Sequence, residues 1–216
     1  MMRFGSAGAA SSIGKLMRRL VPKRAAEVSA STVLASLTLV LVMVGAIYVS
    51  LGSAPGAVGV LAAAFALVML VIAIIDWHSF VIPDWLNAAG AGLAVIYAAV
   101  QEPDAMVQAV SLAVLRGSVL ALIFFVLRAC YVRWRGRQGL GMGDVKLTFV
   151  AGAWLDWLMI PVAIELAAFA ALSAYLVHHS VSGQSLSATS RMPFGLFFAP
   201  AIWMCWLLEV RWLNAF

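Results

Sequence analysis

The sequence predicts an all-α, polytopic membrane protein: a transmembrane helix bundle of about seven helices, six in a core and one added on the N-terminal side. Three observations carry this. Of 216 residues, 64% are hydrophobic and 11% charged, with a mean hydropathy of +1.03; a soluble domain of this size cannot hide that much apolar surface. The apolar residues fall in long runs, several of them uncharged and about the length that crosses a ~30 Å hydrocarbon core. The basic residues gather between the runs, as membrane orientation demands. The net charge of +5 and pI near 9.7 thus belong to topology, and nucleic acid is not expected as a partner.

Taken in order, residues 1–31 are polar and basic, with Lys15, Arg18, Arg19, Lys23 and Arg24. A cytoplasmic tail is expected, followed by an uncleaved first helix, because no small-residue cleavage site ends the next apolar run. The tail is either disordered or lies on anionic lipid through Ile13, Leu16, Met17, Leu20 and Val21 at helical spacing. The additional N-terminal helix and its turn occupy 32–56, with the apolar run at about Thr32–Leu51. The core is expected over 57–216. Its first run, Ala57–Ile75, stops at Asp76. A short loop follows, where Pro83 disfavours a helical Ile82 and Asp84 is placed to cap the next helix, about Trp85–Val100. That helix opens with Ala88, Ala89, Gly90, Ala91 and Gly92, small residues that let helix backbones approach in lipid.

After the acidic turn Gln101–Asp104, the fourth helix runs either from Val107 to Val132 with Arg116 inside it, or from near Gly117 after a surface helix. Arg116 either snorkels or pairs with Glu102 or Asp104. Arg128, Arg133, Arg135 and Arg137 crowd the far end. A glycine-rich loop, Gly139, Gly141 and Gly143, ends in Asp144. The fifth helix is expected over Asp144–Ile160 and the sixth from Pro161 to near His178 and His179. A polar loop, Ser180–Arg191, precedes Met192–Leu196, which leads into a seventh helix ending near Arg211. Cys130 and Cys205 lie in apolar surroundings without a CxxC pair and read as small buried hydrophobes. His78 reads as interfacial, and the eight Trp mostly suit interface belts. No metal or cofactor is expected.

Charge orients the bundle. The N-terminal tail and the Arg133–Arg137 loop hold most of the Lys and Arg and should be cytoplasmic. Counting crossings from a cytoplasmic N-terminus puts Asp76, at the end of the second helix, and Asp144, at the start of the fifth, on that same side. Seven crossings leave the C-terminus outside.

Two acids at the mouths of two membrane helices have a defined chemistry open to them. An aspartyl protease needs one ionised carboxylate to deprotonate a water and one protonated carboxyl to polarise the peptide carbonyl. Asp144, at a helix start, suits a cap and an anion. Asp76, at a helix end where a negative charge is disfavoured, resists a purely structural reading. That contrast would make Asp144 the readier to ionise, within a coupled pair. The alternating glycines would let a substrate main chain come close.

Three segments resemble the type IV prepilin leader peptidase family. Asp76-Trp-His-Ser-Phe-Val-Ile-Pro-Asp84 is similar to its first signature, Gly141-Met-Gly-Asp144-Val-Lys146-Leu to its GxGD signature, and Met192-Pro-Phe-Gly195-Leu-Phe to its late Pro-Phe/Tyr-Gly segment. The resemblance implies an aspartic endopeptidase of the bacterial inner membrane. It would cut basic leaders from prepilins or pseudopilins at the cytoplasmic face. Asp76 and Asp144 match the catalytic acids; Pro83, Asp84, Gly141, Gly143, Lys146, Pro193 and Gly195 match supporting motif positions. Lys146 is expected to snorkel or to pair. Long members of the family carry a cytoplasmic insert with paired CxxC motifs and also methylate the product. This chain shows no such insert, so peptidase activity without methyl transfer is expected, as in the short peptidases of Flp/Tad-type pili. Presenilin-type GxGD proteases lack the Asp-loop-Pro-Asp signature. Proton-coupled transporters also use intramembrane acids, and a non-catalytic subunit would carry similar helices. No internal repeat is visible here, and both acids stand at helix ends.

Overall fold

The computed structural model describes residues 30–136, 139–182 and 193–213. The basic tail up to residue 29, Arg137, Gln138, most of the polar loop with Met192, and the side chains of His178 and His179 lie outside the described residues. Among those described, seven helices and no strand are found: α1 (Ala30–Ser53), α2 (Gly56–Ser79), α3 (Asp84–Gln101), α4 (Met106–Arg135), α5 (Met142–Trp154), α6 (Met159–Ser182) and α7 (Phe194–Leu213). Five are long and apolar enough to cross a membrane: Val33–Ser53, Gly56–Ser79, Met106–Arg135, Met159–Val177 and Phe194–Trp212. The protein is an all-α, multi-pass membrane protein.

Three boundaries differ from expectation for physical reasons. Helix α2 runs past Asp76 to Ser79, because Phe80, in the left-handed region (φ 55°), returns its N–H to the Asp76 carbonyl at 3.0 Å. The fourth helix is continuous over 30 residues with Arg116 inside it. The fifth ends at Trp154, six residues before the expected Ile160, and α6 begins at Met159 with Pro161 in its first turn, where a missing N–H costs nothing. Helix α5 has 13 residues and is about 20 Å long at the helical rise.

The chain divides into two compact units, Met1–Leu41 and Val42–Phe216. In the first, the described part of α1 is exposed, and the Thr38 hydroxyl bonds back to the Leu34 and Ala35 carbonyls. In the second, α5 is the central element, packed on α3, α4 and α7; α2 packs on α3 and α7, and α6 on α7. Close approach depends on glycine: a Cβ on Gly152 would meet the Arg116 carbonyl oxygen at 2.8 Å, and one on Gly117 the Phe149 carbonyl oxygen at 2.7 Å. The centre is aromatic. Trp154 stacks between Phe65 (3.8 Å) and Tyr97 (4.2 Å), and the Trp206 indole N–H donates to the Tyr97 hydroxyl at 2.8 Å. Trp154 and Trp206 are fully buried, so the tryptophans are shared between core and surface and do not all form an interface belt. Cys205 is buried, while Cys130 is exposed on α4, against expectation.

Arg116 pairs with neither Glu102 nor Asp104. Its Nη1 contacts Asp156 Oδ1 at 2.7 Å and its Nε donates to the Gly152 carbonyl at 3.3 Å. The guanidinium thus caps the carboxyl end of α5, where a cation is favoured.

Candidate active site

Asp76 lies in the last turn of α2, on the buried side of the helix, and is 4% exposed. Its carboxylate reaches the amino end of α7. Asp76 Oδ2 accepts the Leu196 N–H at 3.0 Å, and the Gly195 backbone also hydrogen-bonds to it. These are donors that a helix cannot satisfy internally. The acid expected at an unfavourable helix end therefore has its charge at a favourable one, supplied by a different helix.

Asp144 lies in the first turn of α5. Its Oδ2 accepts the Gly141 N–H at 3.1 Å, as the capping reading expects. Both acids are thus held by backbone amides at helix amino ends, and the contrast between a helix start and a helix end no longer separates them. The two carboxylates are close enough for the charge of one to act on the other. They come from motif segments far apart in sequence and meet at one end of the bundle.

The supporting motif residues build this meeting. Ile82, buried in the α2–α3 loop, is the wedge. A Cβ on Gly143 would come within 3.0 Å of Ile82 Cβ, and one on Gly195 within 2.7 Å of Ile82 Cδ1 and 2.9 Å of Asp76 Oδ2. At Gly141 a Cβ would approach Asp144 Oδ2 at 3.1 Å, and at Gly139 the Tyr131 ring at 2.6 Å. The glycines are small because the chain's own side chains fill the space beside them. Pro83 occupies the cap position of α3 with extended backbone (φ −62°, ψ 138°), and its carbonyl accepts the Leu86 and Asn87 N–H groups. Asp84 makes no capping bond; instead Lys146 Nζ contacts Asp84 Oδ1 at 2.6 Å, tying the start of α3 to α5. Lys146 is therefore a pairing residue, two positions past Asp144 but engaged elsewhere. Pro193 is buried just before α7. His78 is exposed in the last turn of α2.

Sequence reasoning missed Ile82, Asn87 and Arg128. Arg128 Nε donates to the Leu140 carbonyl at 3.1 Å and steadies the glycine loop. Asn87 Nδ2 donates to the Gly143 carbonyl at 3.4 Å. The available signal for Asn87 was a lone amide one turn past Asp84 on an otherwise small and apolar helix.

The type IV leader peptidase family model matches residues 63–176, which include Asp76, Asp84 and Asp144 but stop short of Pro193 and Gly195. Leader peptidase HopD of Escherichia coli is 31% identical over 120 residues, 56% of this chain and 74% of that protein. Leader peptidase HopD of Salmonella typhimurium is 30% identical over 132 residues, 61% of this chain and 82% of that one. A prepilin leader peptidase/N-methyltransferase of Pseudomonas putida is 29% identical over 138 residues, 63% of this chain but 45% of that longer protein. No solved structure matches the chain. With a family model over more than half its length and these relatives, the chain belongs to the type IV leader peptidase family and is an aspartic-type membrane peptidase.

Proposed function

We propose that Asp76 and Asp144 are the catalytic pair of an endopeptidase that removes the basic leader from prepilins or pseudopilins at the cytoplasmic face of the bacterial inner membrane. The observation that carries this is the convergence of two carboxylates, each held by backbone amides and neither ion-paired to Lys or Arg among the described residues. One carboxylate takes a proton from water as the oxygen attacks the scissile carbonyl. The other, protonated, hydrogen-bonds that carbonyl and stabilises the tetrahedral intermediate. The nitrogen is protonated as the C–N bond breaks. The two titrate as one coupled system. The backbone donors fix both carboxylates without supplying a counter-ion, so the pair can share a proton. Orientation follows from the Lys and Arg distribution, which favours a cytoplasmic N-terminus and cytoplasmic acids, with the C-terminus periplasmic. Residues 57–216 would form the peptidase core. The short chain, with isolated cysteines, fits cleavage without N-methylation, as in Flp/Tad-type systems.

Co-expression with a prepilin tests this. Asp76→Asn and Asp144→Asn should each lower cleavage by about 10³-fold or more while the protein still reaches the membrane. Normal processing by either variant would sink the dyad. A methylated product made by this protein alone would overturn the peptidase-only reading.

A further inference from the structure

Buried polar or charged side chains among the described residues are Ser50, Asp76, Asn87 and Thr148. Ser50 receives the Trp203 indole N–H, Thr148 returns its hydroxyl to the Val145 carbonyl, and Asp76 belongs to the dyad. Asn87 has no such account. It is 5% exposed, at the end of the first turn of α3. Its Nδ2 donates at 3.4 Å to the carbonyl of Gly143, 56 residues on, and its Oδ1 is buried without a donor among the described residues. Turning the amide over would set Oδ1 against the Gly143 oxygen, two acceptors face to face, so the donation fixes its orientation.

As a stabiliser of the fold this arrangement is poor. One long hydrogen bond is gained, and one acceptor left dry costs more than that bond returns. The site it touches is specific. The Gly143 carbonyl belongs to the peptide joining Gly143 to Asp144, the unit from which the Asp144 side chain departs. Asp144 is otherwise fixed by a single bond back to Gly141, within its own loop. Asn87 reaches it from another helix.

We propose that Asn87 is a positioning residue of the cleavage reaction: its amide holds the Gly143–Asp144 peptide against α3 and so sets Asp144 at the angle where it meets Asp76. This rests on the dyad reading above. The titratable groups on the elements packed around it are Asp84 on its own helix, Asp144 and Lys146 on α5, Asp76 and His78 on α2, and Arg128 on α4. Lys146 is paired with Asp84, and Arg128 is held on Leu140.

The test uses the purified full chain in detergent, a purified prepilin as substrate, and three variants: Asn87→Leu, Asn87→Asp and, as reference, Asp144→Asn. Asn87→Leu, similar in volume and without polar atoms, should keep or raise the thermal midpoint. Its kcat should fall about 10- to 100-fold with KM within about 2-fold. Asn87→Asp carries the sharper signature. A protonated carboxyl has an O–H to donate to Gly143; an ionised one has none and repels that carbonyl. Activity of this variant relative to wild type should therefore rise as pH falls. A residue serving only the fold would change stability and leave the pH profile of the surviving enzyme in place. The proposal is overturned by wild-type kcat in Asn87→Leu, by a kcat loss matched by loss of folded protein, or by an Asn87→Asp profile that superimposes on wild type. Those results, with Asp144→Asn inactive, retire Asn87 alone. Cleavage by Asp144→Asn retires the dyad and this proposal together.

Discussion

The two ends of α5 obey the same electrostatic rule and reach opposite outcomes. At the amino end an acid, Asp144, caps the helix; at the carboxyl end a cation, Arg116, does so. At the carboxyl end the cation brings its counter-ion, Asp156, at 2.7 Å, and the charge is neutralised. At the amino end the nearby cation, Lys146, is taken by Asp84, and what faces Asp144 is a second acid. One end is a finished structural joint. The other holds like charges together on backbone donors alone, an arrangement that costs stability and suits proton sharing.

This contrast can be broken most sharply by making the same chemical change at both ends. Asp76→Asn should abolish leader cleavage, whereas Asp156→Asn should leave it within about 2-fold, because an amide oxygen still accepts from Arg116; cleavage assays on matched membrane fractions compare the two. Next in size is Gly195→Ala. The added methyl must displace either Ile82 or the Asp76 carboxylate, and cleavage should fall about 10- to 100-fold with normal membrane insertion. Insertion without any loss of rate would show that the wedge has slack. Arg116→Leu should act on stability, lowering it by about 1–2 kcal/mol after discounting for the exposure of Asp156, with cleavage per folded molecule unchanged. A thermal melt in detergent alongside the cleavage assay separates the two effects. The smallest change is expected from Lys146→Gln. Its pair is exposed on both sides, so stability should move by about 0.5 kcal/mol or less and the rate by about 2-fold. A larger loss would mean that Lys146 serves the acids directly.

Much of this was legible in the sequence, and the failures have specific causes. The apolar runs located the helices because lipid leaves backbone groups no alternative to helical bonding. The boundary between α5 and α6 was missed because Leu155–Leu158 contains neither Gly nor Pro. The helix stops there because Leu155 turns extended (ψ 155°) and Asp156 is claimed by Arg116 from another helix. Chain proximity suggested Glu102 or Asp104 as the partner of Arg116; packing of α4 on α5 chose Asp156. Crossing parity put Asp76 and Asp144 at one end, and the bundle has them together. The electrostatic oddness assigned to Asp76 did not survive, because the helix end that receives its carboxylate begins at Phe194, far along the chain. The glycines were read as an open approach, yet their neighbours are Ile82, Tyr131 and Asp144. Local pattern shows where a side chain is missing, and only the fold shows what stands in the gap.

Ile82 carries a last consequence, for motion. One side chain is packed against Gly143 of the α5 entry and Gly195 of the α7 entry, and the latter also abuts Asp76. Neither entry can swing away without opening a void beside the other. Fluctuations of the two acids are therefore correlated: the pair stays closed or opens as one cooperative unit, rather than losing first one carboxylate and then the other. A loop residue without chemistry of its own thus governs how long the two acids remain in register between encounters with substrate.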